Sequence, residues 1–263
     1  MKVLVTVTEV AEAEDDFEIS GTSIDERYLE YDLNEWDDYA IEEAVQLAEL
    51  HPEIEVVSAT IGPDRCEETI RMALAKGVDR AVRVWDDALE AAEVLDVQTK
   101  AAILGSIVED EEPDIVFTGV QASDDLFGAT GVALADEIDY GWAAVVNGFE
   151  YDDEGTAEVH RELEGGVEEL TTVDLPAVFT IQTGINEPRY ASLRGIRQAQ
   201  AKPIDTKALA DLDVDPEAVE GRLTLREMYE PEAEGDVEVF EGAPGETAAQ
   251  LAEVLRDRGV GEA

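Results

Sequence analysis

Apolar positions in the first half of the chain alternate between runs and helical spacing. Residues 2–8 form a short valine-rich run of the kind carried by a strand buried on both faces. Residues 37–51 place Ala40, Ile41, Ala44, Val45, Leu47 and Ala48 at helical spacing, with acids on the other face. The next strand is expected over 55–61, closed by Gly62-Pro63, followed by a helix over 64–76 ending at Gly77. A third strand over 80–85, a long helix over 88–111 stopped by Pro113, a fourth strand over 114–119 and a helix over 127–138 complete the series. Strand–helix alternation predicts a parallel sheet covered on both faces.

After Gly141 the pattern changes. Residues 141–151, 157–163 and 167–173 read as successive strands, with Glu164-Gly165-Gly166 as the turn between the last two. Residues 175–183 (LPAVFTIQT) are apolar and strand-prone. Beyond Pro203 the chain reads as an acidic arm without sheet signal, ending in an amphipathic helix over 245–257. The expected fold class is α/β. It is a Rossmann-like adenine-nucleotide-binding fold with a largely parallel sheet and a β-hairpin extension over 1–203, plus an arm and helix over 204–263 that pack on the domain or a partner.

Charge narrows the function classes. The 263 residues hold 18 Lys+Arg against 65 Asp+Glu, a formal net charge of −47. Such a chain repels phosphate backbones and anionic membranes, which excludes nucleic-acid binding and direct membrane insertion. Its 44% hydrophobic content and sustained periodicity argue against disorder. The bases are 13 Arg and only 5 Lys. A Lys-poor, acidic surface on a globular core reads as halophilic adaptation to molar salt, where screening acts within about 3 Å. The single Cys66 forbids an internal disulfide and suits a reducing compartment. No apolar segment approaches membrane-spanning length, and Met1-Lys2 runs straight into Val3-Leu4-Val5 without a leader pattern, so the expected location is cytoplasmic.

Two segments could carry chemistry. The first is the turn GVQASDDLFGATG at 119–131, leading from a strand end into a helix start. Its small residues let backbone N–H groups approach an anion, with help from the helix dipole. The alternative is that Asp124 or Asp125 merely caps the helix. The turn is neither a P-loop nor Gly-x-Gly-x-x-Gly. The second segment is 185–202 (INEPRYASLRGIRQAQAK), with one acid, Glu187, against Arg189, Arg194, Arg197 and Lys202. It reads either as a docking surface or as an internally paired segment. Pro188 argues for a structured loop there rather than a strand or helix. His51 and His160 lack metal-ligand spacing, Cys66 reads as a packing residue, and no nucleophile–base or paired-carboxylate constellation is present.

Several segments in order resemble the beta subunit of electron-transfer flavoproteins, including its nitrogen-fixation-associated branch. They are 3–10, 34–49 (NEWDDYAIEEAVQLAE), 60–79 (TIGPDRCEETIRMALAKGVD), 121–131, 159–166 (VHRELEGG) and 175–203 with its INEPRYASL core. The resemblance implies a non-catalytic electron carrier in a heterodimer whose alpha subunit holds FAD, while the beta subunit holds a structural AMP. It places Thr6, Asn34, Trp36 and Ile61 around the adenosine, with Trp36 also near the partner's flavin. It places Asp124, Asp125, Gly128, Ala129, Thr130 and Gly131 at the phosphate. Glu187, Pro188, Arg189, Tyr190, Leu193 and Arg194 fall in the loop that recognises acyl-CoA and related dehydrogenases. The resemblance further implies that electrons pass from fatty acid oxidation to an electron-transfer flavoprotein quinone oxidoreductase.

The chain departs from the family pattern at three places. Leu126 stands where a third acid is usual, Gly128-Ala129 replace Asn-Gln, and Gly195-Ile196-Arg197-Gln198 replace lysines. Some branches hold a second FAD in this site and bifurcate electrons, and Gly128 leaves room for a larger ligand. A stand-alone ATP-binding module like the universal stress proteins is a further alternative. There, however, Trp142 occupies a position needing a hydroxyl, and 186–193 has no purpose.

Overall fold

The structure is a computed structural model that describes residues 1–152, 154–212, 214, 219, 221–230 and 239–260. From the amino terminus the chain forms β1 (Lys2–Thr6), β2 (Glu9–Ala13), β3 (Ile19–Ser20), β4 (Ser23–Ile24), β5 (Leu29–Leu33), α1 (Glu35–Leu50), β6 (Glu55–Ile61), α2 (Glu67–Lys76) and β7 (Arg80–Val84). There follow α3 (Asp87–Ala91), α4 (Val97–Glu111), β8 (Ile115–Gly119), α5 (Thr130–Glu137), β9 (Gly141–Tyr151), β10 (Thr156–Leu163), β11 (Val167–Asp174) and β12 (Ala177–Ile181). The last elements are α6 (Leu193–Ala199), β13 (Ile204–Lys207) and α7 (Pro244–Asp257).

Nine strands make the main sheet in the order β11-β10-β9-β12-β8-β1-β6-β7-β13. Pairing is parallel from β9 through β13, and antiparallel across β9, β10 and β11. Alternate residues of the central strands feed the two faces. Val3, Val5, Phe117 and Phe179 pack against Ile41 of α1 and Ile70 and Leu74 of α2. Leu4, Val57, Val116 and Val178 pack on the opposite side against Ile103 and Ile107 of α4 and Leu134 of α5. Apolar residues on both sides of one strand are why these segments read as runs rather than as alternation.

Four details differ from the sequence expectation. The helix expected over 88–111 is two helices, because Asp96 turns its carboxylate to Thr99 N (2.9 Å) and Arg222 N (2.6 Å) and starts α4 afresh. The helix expected from 127 begins at Thr130, since Leu126 (φ 54°) and Gly128 (φ 58°) hold the preceding turn open. The arm beyond Pro203 does enter the sheet: Ile204–Lys207 pairs with β7 as an edge strand, and Leu209 and Leu212 are buried in the core. Residues 9–33 add the β2–β5 and β3–β4 hairpins, which no sequence signal had announced.

By compactness the chain divides into two units, 1–228 and 229–263. The second contains α7, whose Leu251 and Leu255 are each partly exposed. Among the described residues no helix is long and apolar enough to cross a membrane.

Candidate functional site

The carboxyl ends of β1, β6 and β8 open into a cleft of about 610 Å³, its mouth included. It lies at the strand ends, where open α/β sheets bind ligands. Thr6, Asn34, Ile61, Asp125, Gly128, Ala129 and Thr130 all line it. Three other expected residues stand outside. Asp124 is exposed and accepts from Ala11 N at 3.3 Å. Gly131 is buried in the first turn of α5, and Trp36 donates its indole N–H to Gln182 Oε1 at 3.0 Å.

Asp37, which the sequence analysis did not single out, organises the floor of the cleft. Its Oδ1 accepts from Gly119 N at 2.9 Å and its Oδ2 from Thr8 N at 2.8 Å, so one carboxylate joins the ends of β1 and β8. Gly119 must be glycine, because a Cβ there would stand 2.7 Å from both Asp37 Oδ1 and Trp36 Cβ. Burial pushes the Asp37 carboxyl up to about 6, against the opposing pull of its hydrogen bonds.

Asn34 sits at the N-cap of α1 but does not cap it. Its Nδ2 donates to Gln121 O at 2.9 Å, while its Oδ1 is buried with no hydrogen-bond partner. A buried acceptor left open at a cavity wall fits an incoming donor such as an exocyclic amine of an adenine. The 119–131 loop, to which Asn34 is thus bonded, and the N-terminus of α5 also line the cleft, and backbone amides there suit an anion. Lys100, also unforeseen, reaches the cleft from α4 and pairs with Asp125. The donor set therefore fits an adenine nucleotide.

Residues 182–189 run along α1 as a ladder. Gln182 meets Trp36, Asn186 Nδ2 donates to Tyr39 O (3.1 Å) and Glu43 Oε2 (3.0 Å), and Arg189 binds Glu42 and Glu49. Ser192 then caps α6, its Oγ accepting from Gly195 N at 3.0 Å, so the segment contains a helix where Pro188 had argued for none. Half of its positive charge is used internally. Arg189 is paired, and Lys202 Nζ donates to Leu74 O in the last turn of α2 at 3.1 Å and to Val78 O just beyond that helix at 2.5 Å. Tyr190 (97% exposed), Leu193 (79%), Glu187 and Arg194 project outward, while Pro188 is half-buried.

Cys66 is buried, with its thiol donating to Glu9 Oε1 at 3.3 Å. Burial first, and then that carboxylate, push it up to about 12, which makes it a packing residue.

Comparison with known proteins agrees with this geometry. The electron transfer flavoprotein domain profile matches residues 21–212. The chain is 44% identical to the electron transfer flavoprotein subunit beta of Methylophilus methylotrophus, over 98% of both chains. It is 34% identical to the Bacillus subtilis (strain 168) subunit beta over 97% of this chain and 98% of that one, and 35% identical to the Mus musculus subunit beta over 87% of each. The order of strands, the cleft at their ends and similarity along nearly the whole length agree: this chain belongs to the beta-subunit family of electron transfer flavoproteins.

Proposed function

We propose that this subunit holds AMP in the cleft beside β1, β6 and β8, pairs with an alpha subunit carrying FAD, and passes electrons in the cytoplasm from acyl-CoA or related dehydrogenases to a quinone oxidoreductase. The observation that supports the nucleotide reading is Asn34 Oδ1, a buried acceptor without a partner on a residue lining a cleft that the glycine-containing 119–131 turn also lines. The residues here bind and orient. Asp37 fixes the strand ends, Asn34 receives the base and the 119–131 turn receives the phosphate. FAD in the alpha subunit supplies the redox chemistry. The exposed side chains of Tyr190, Leu193 and Arg194 form the docking surface for dehydrogenases, presented by the 182–189 ladder.

Co-expression with the alpha subunit followed by extraction of bound ligands tests this reading. One FAD and one AMP per heterodimer is the expected result. Two FAD would reassign the cleft to a second flavin and the function to electron bifurcation. A homodimer that binds ATP and ignores the alpha subunit would overturn the electron-transfer role.

A further inference from the structure

Among the described residues a single cation lines the cleft. Lys100 enters from the first turn of α4 and its ammonium donates to Asp125 Oδ2 on the 119–131 loop. The Nζ also lies 5.8 Å from the centre of the Phe127 ring. Both partners keep about a fifth of their side-chain surface in solvent, 22% for Lys100 and 21% for Asp125. The place is a poor one for a lysine, since a cation in the first turn of a helix opposes the macrodipole. Asp96 already caps that helix end through Thr99 N.

The charge around the loop is wrong for an anion unless Lys100 takes part. A phosphate monoester carries roughly −1.5 to −2 at neutral pH. Asp124 and Asp125 bring like charge to the same turn. The N-terminus of α5 supplies only about half a positive charge. We propose that Lys100 is the counter-cation of the nucleotide phosphate, with Asp125 as its resting partner, so that binding exchanges carboxylate for phosphate on the same ammonium. The inference rests on the nucleotide reading above. The exchange leaves the loop intact, because Asp125 keeps its other oxygen, Oδ1, on Phe127 N at 3.0 Å. It also makes Asp125 a competitor of the ligand rather than a contact to it.

That competition gives the test its sign. The full chain in complex with its alpha subunit, freed of bound nucleotide, is titrated calorimetrically with AMP and with adenosine. Lys100→Met should weaken AMP by about tenfold or more, the loss of one charge-assisted bond, and leave adenosine unchanged. Lys100→Arg should restore most of the AMP affinity. Asp125→Asn keeps an oxygen for Phe127 N but frees the ammonium, and should tighten AMP severalfold. Equal AMP affinity in wild type and Lys100→Met overturns the inference and leaves the nucleotide reading standing. Weakening by Asp125→Asn, or joint loss of AMP and adenosine in Lys100→Met, marks a mere tether and overturns it as well. Wild-type protein that binds neither ligand overturns both the inference and the reading it rests on.

Discussion

The Arg189 guanidinium grips the Glu42 carboxylate at two points, Nε–H on Oε2 at 2.8 Å and Nη2–H on Oε1 at 3.0 Å. Two turns further along α1, Glu49 takes Nη1–H at 2.6 Å and Nη2–H at 3.1 Å. This planar fork, which lysine cannot reproduce, ties the 185–192 segment to the flank of α1.

Arg189→Ala therefore leaves Glu42, only 6% exposed, without its cation. Unfolding by urea should show a loss of about 1–3 kcal/mol, with Arg189→Lys recovering part of it. Burial pushes the Glu42 carboxyl up, but the hydrogen bonds from Arg189 and Gln46 together outweigh it and hold the group below its ordinary 4.5. Its contribution is thus complete above pH 4.5 and fades as the pH falls through the lowered value. In Arg189→Ala that acid-side loss should disappear, and an unchanged urea midpoint at pH 7 would refute the clamp.

Asp37 carries the opposite sign. With its carboxyl raised from 3.8 to about 6, the folded chain holds this proton more tightly than the unfolded one. The site's contribution is most favourable below pH 3.8, declines between 3.8 and 6, and above 6 costs on the order of 3 kcal/mol. Relative to Asp37→Asn, wild-type stability should fall as pH rises from 4 to 6.5 and then level off. A carboxyl titration followed by infrared difference spectroscopy should show a midpoint near 6 that the variant lacks. A midpoint near 4 would remove the argument.

Gly195 tests the seating of the exposed loop. Glycine to alanine inside a helix ordinarily stabilises by about 1 kcal/mol. Here a Cβ would stand 2.3 Å from the Ala75 carbonyl oxygen, so α6 must move off α2. Gly195→Ala should lower the thermal midpoint, whereas Leu193→Ala, at a side chain 79% exposed, should not. Leu193→Ala should instead slow flavin reduction by the cognate dehydrogenase in stopped-flow mixing. Unaltered reduction rates across dehydrogenases would exclude the docking role of that side chain.

A net charge of −47 makes self-repulsion the dominant salt-dependent term. Between about 0.1 and 1 M KCl the screening length shrinks from about 10 to 3 Å, and the thermal midpoint should climb steeply over that range. A midpoint indifferent to KCl would mean that the acids are neutralised within the fold.

Much of this was legible along the chain, for identifiable reasons. Val3-Leu4-Val5 and Ile115-Val116-Phe117 announce central parallel strands because both faces of each are buried. The 119–131 turn was legible because small residues follow a strand end. Asp37 was hidden among the surface acids of an amphipathic helix, and only the meeting of the β1 and β8 ends with α1 buries it. Lys100 was hidden by the assumption of one helix over 88–111; the break at Asp96 is what brings it to the cleft. The strand Ile204–Lys207 is short and borders only β7, so it has little apolar pattern to show.

The ladder between 182–189 and α1 has a geometric consequence. Asn34 lies at the start of that helix and Glu49 near its end, fifteen residues or about 22 Å along its axis. The cleft's polar wall and the anchor of the outward-facing loop are thus marks on one rigid rod. Any protein that grasps Tyr190 and Leu193 meets the cleft at a set span, and α1 serves as the ruler that keeps it.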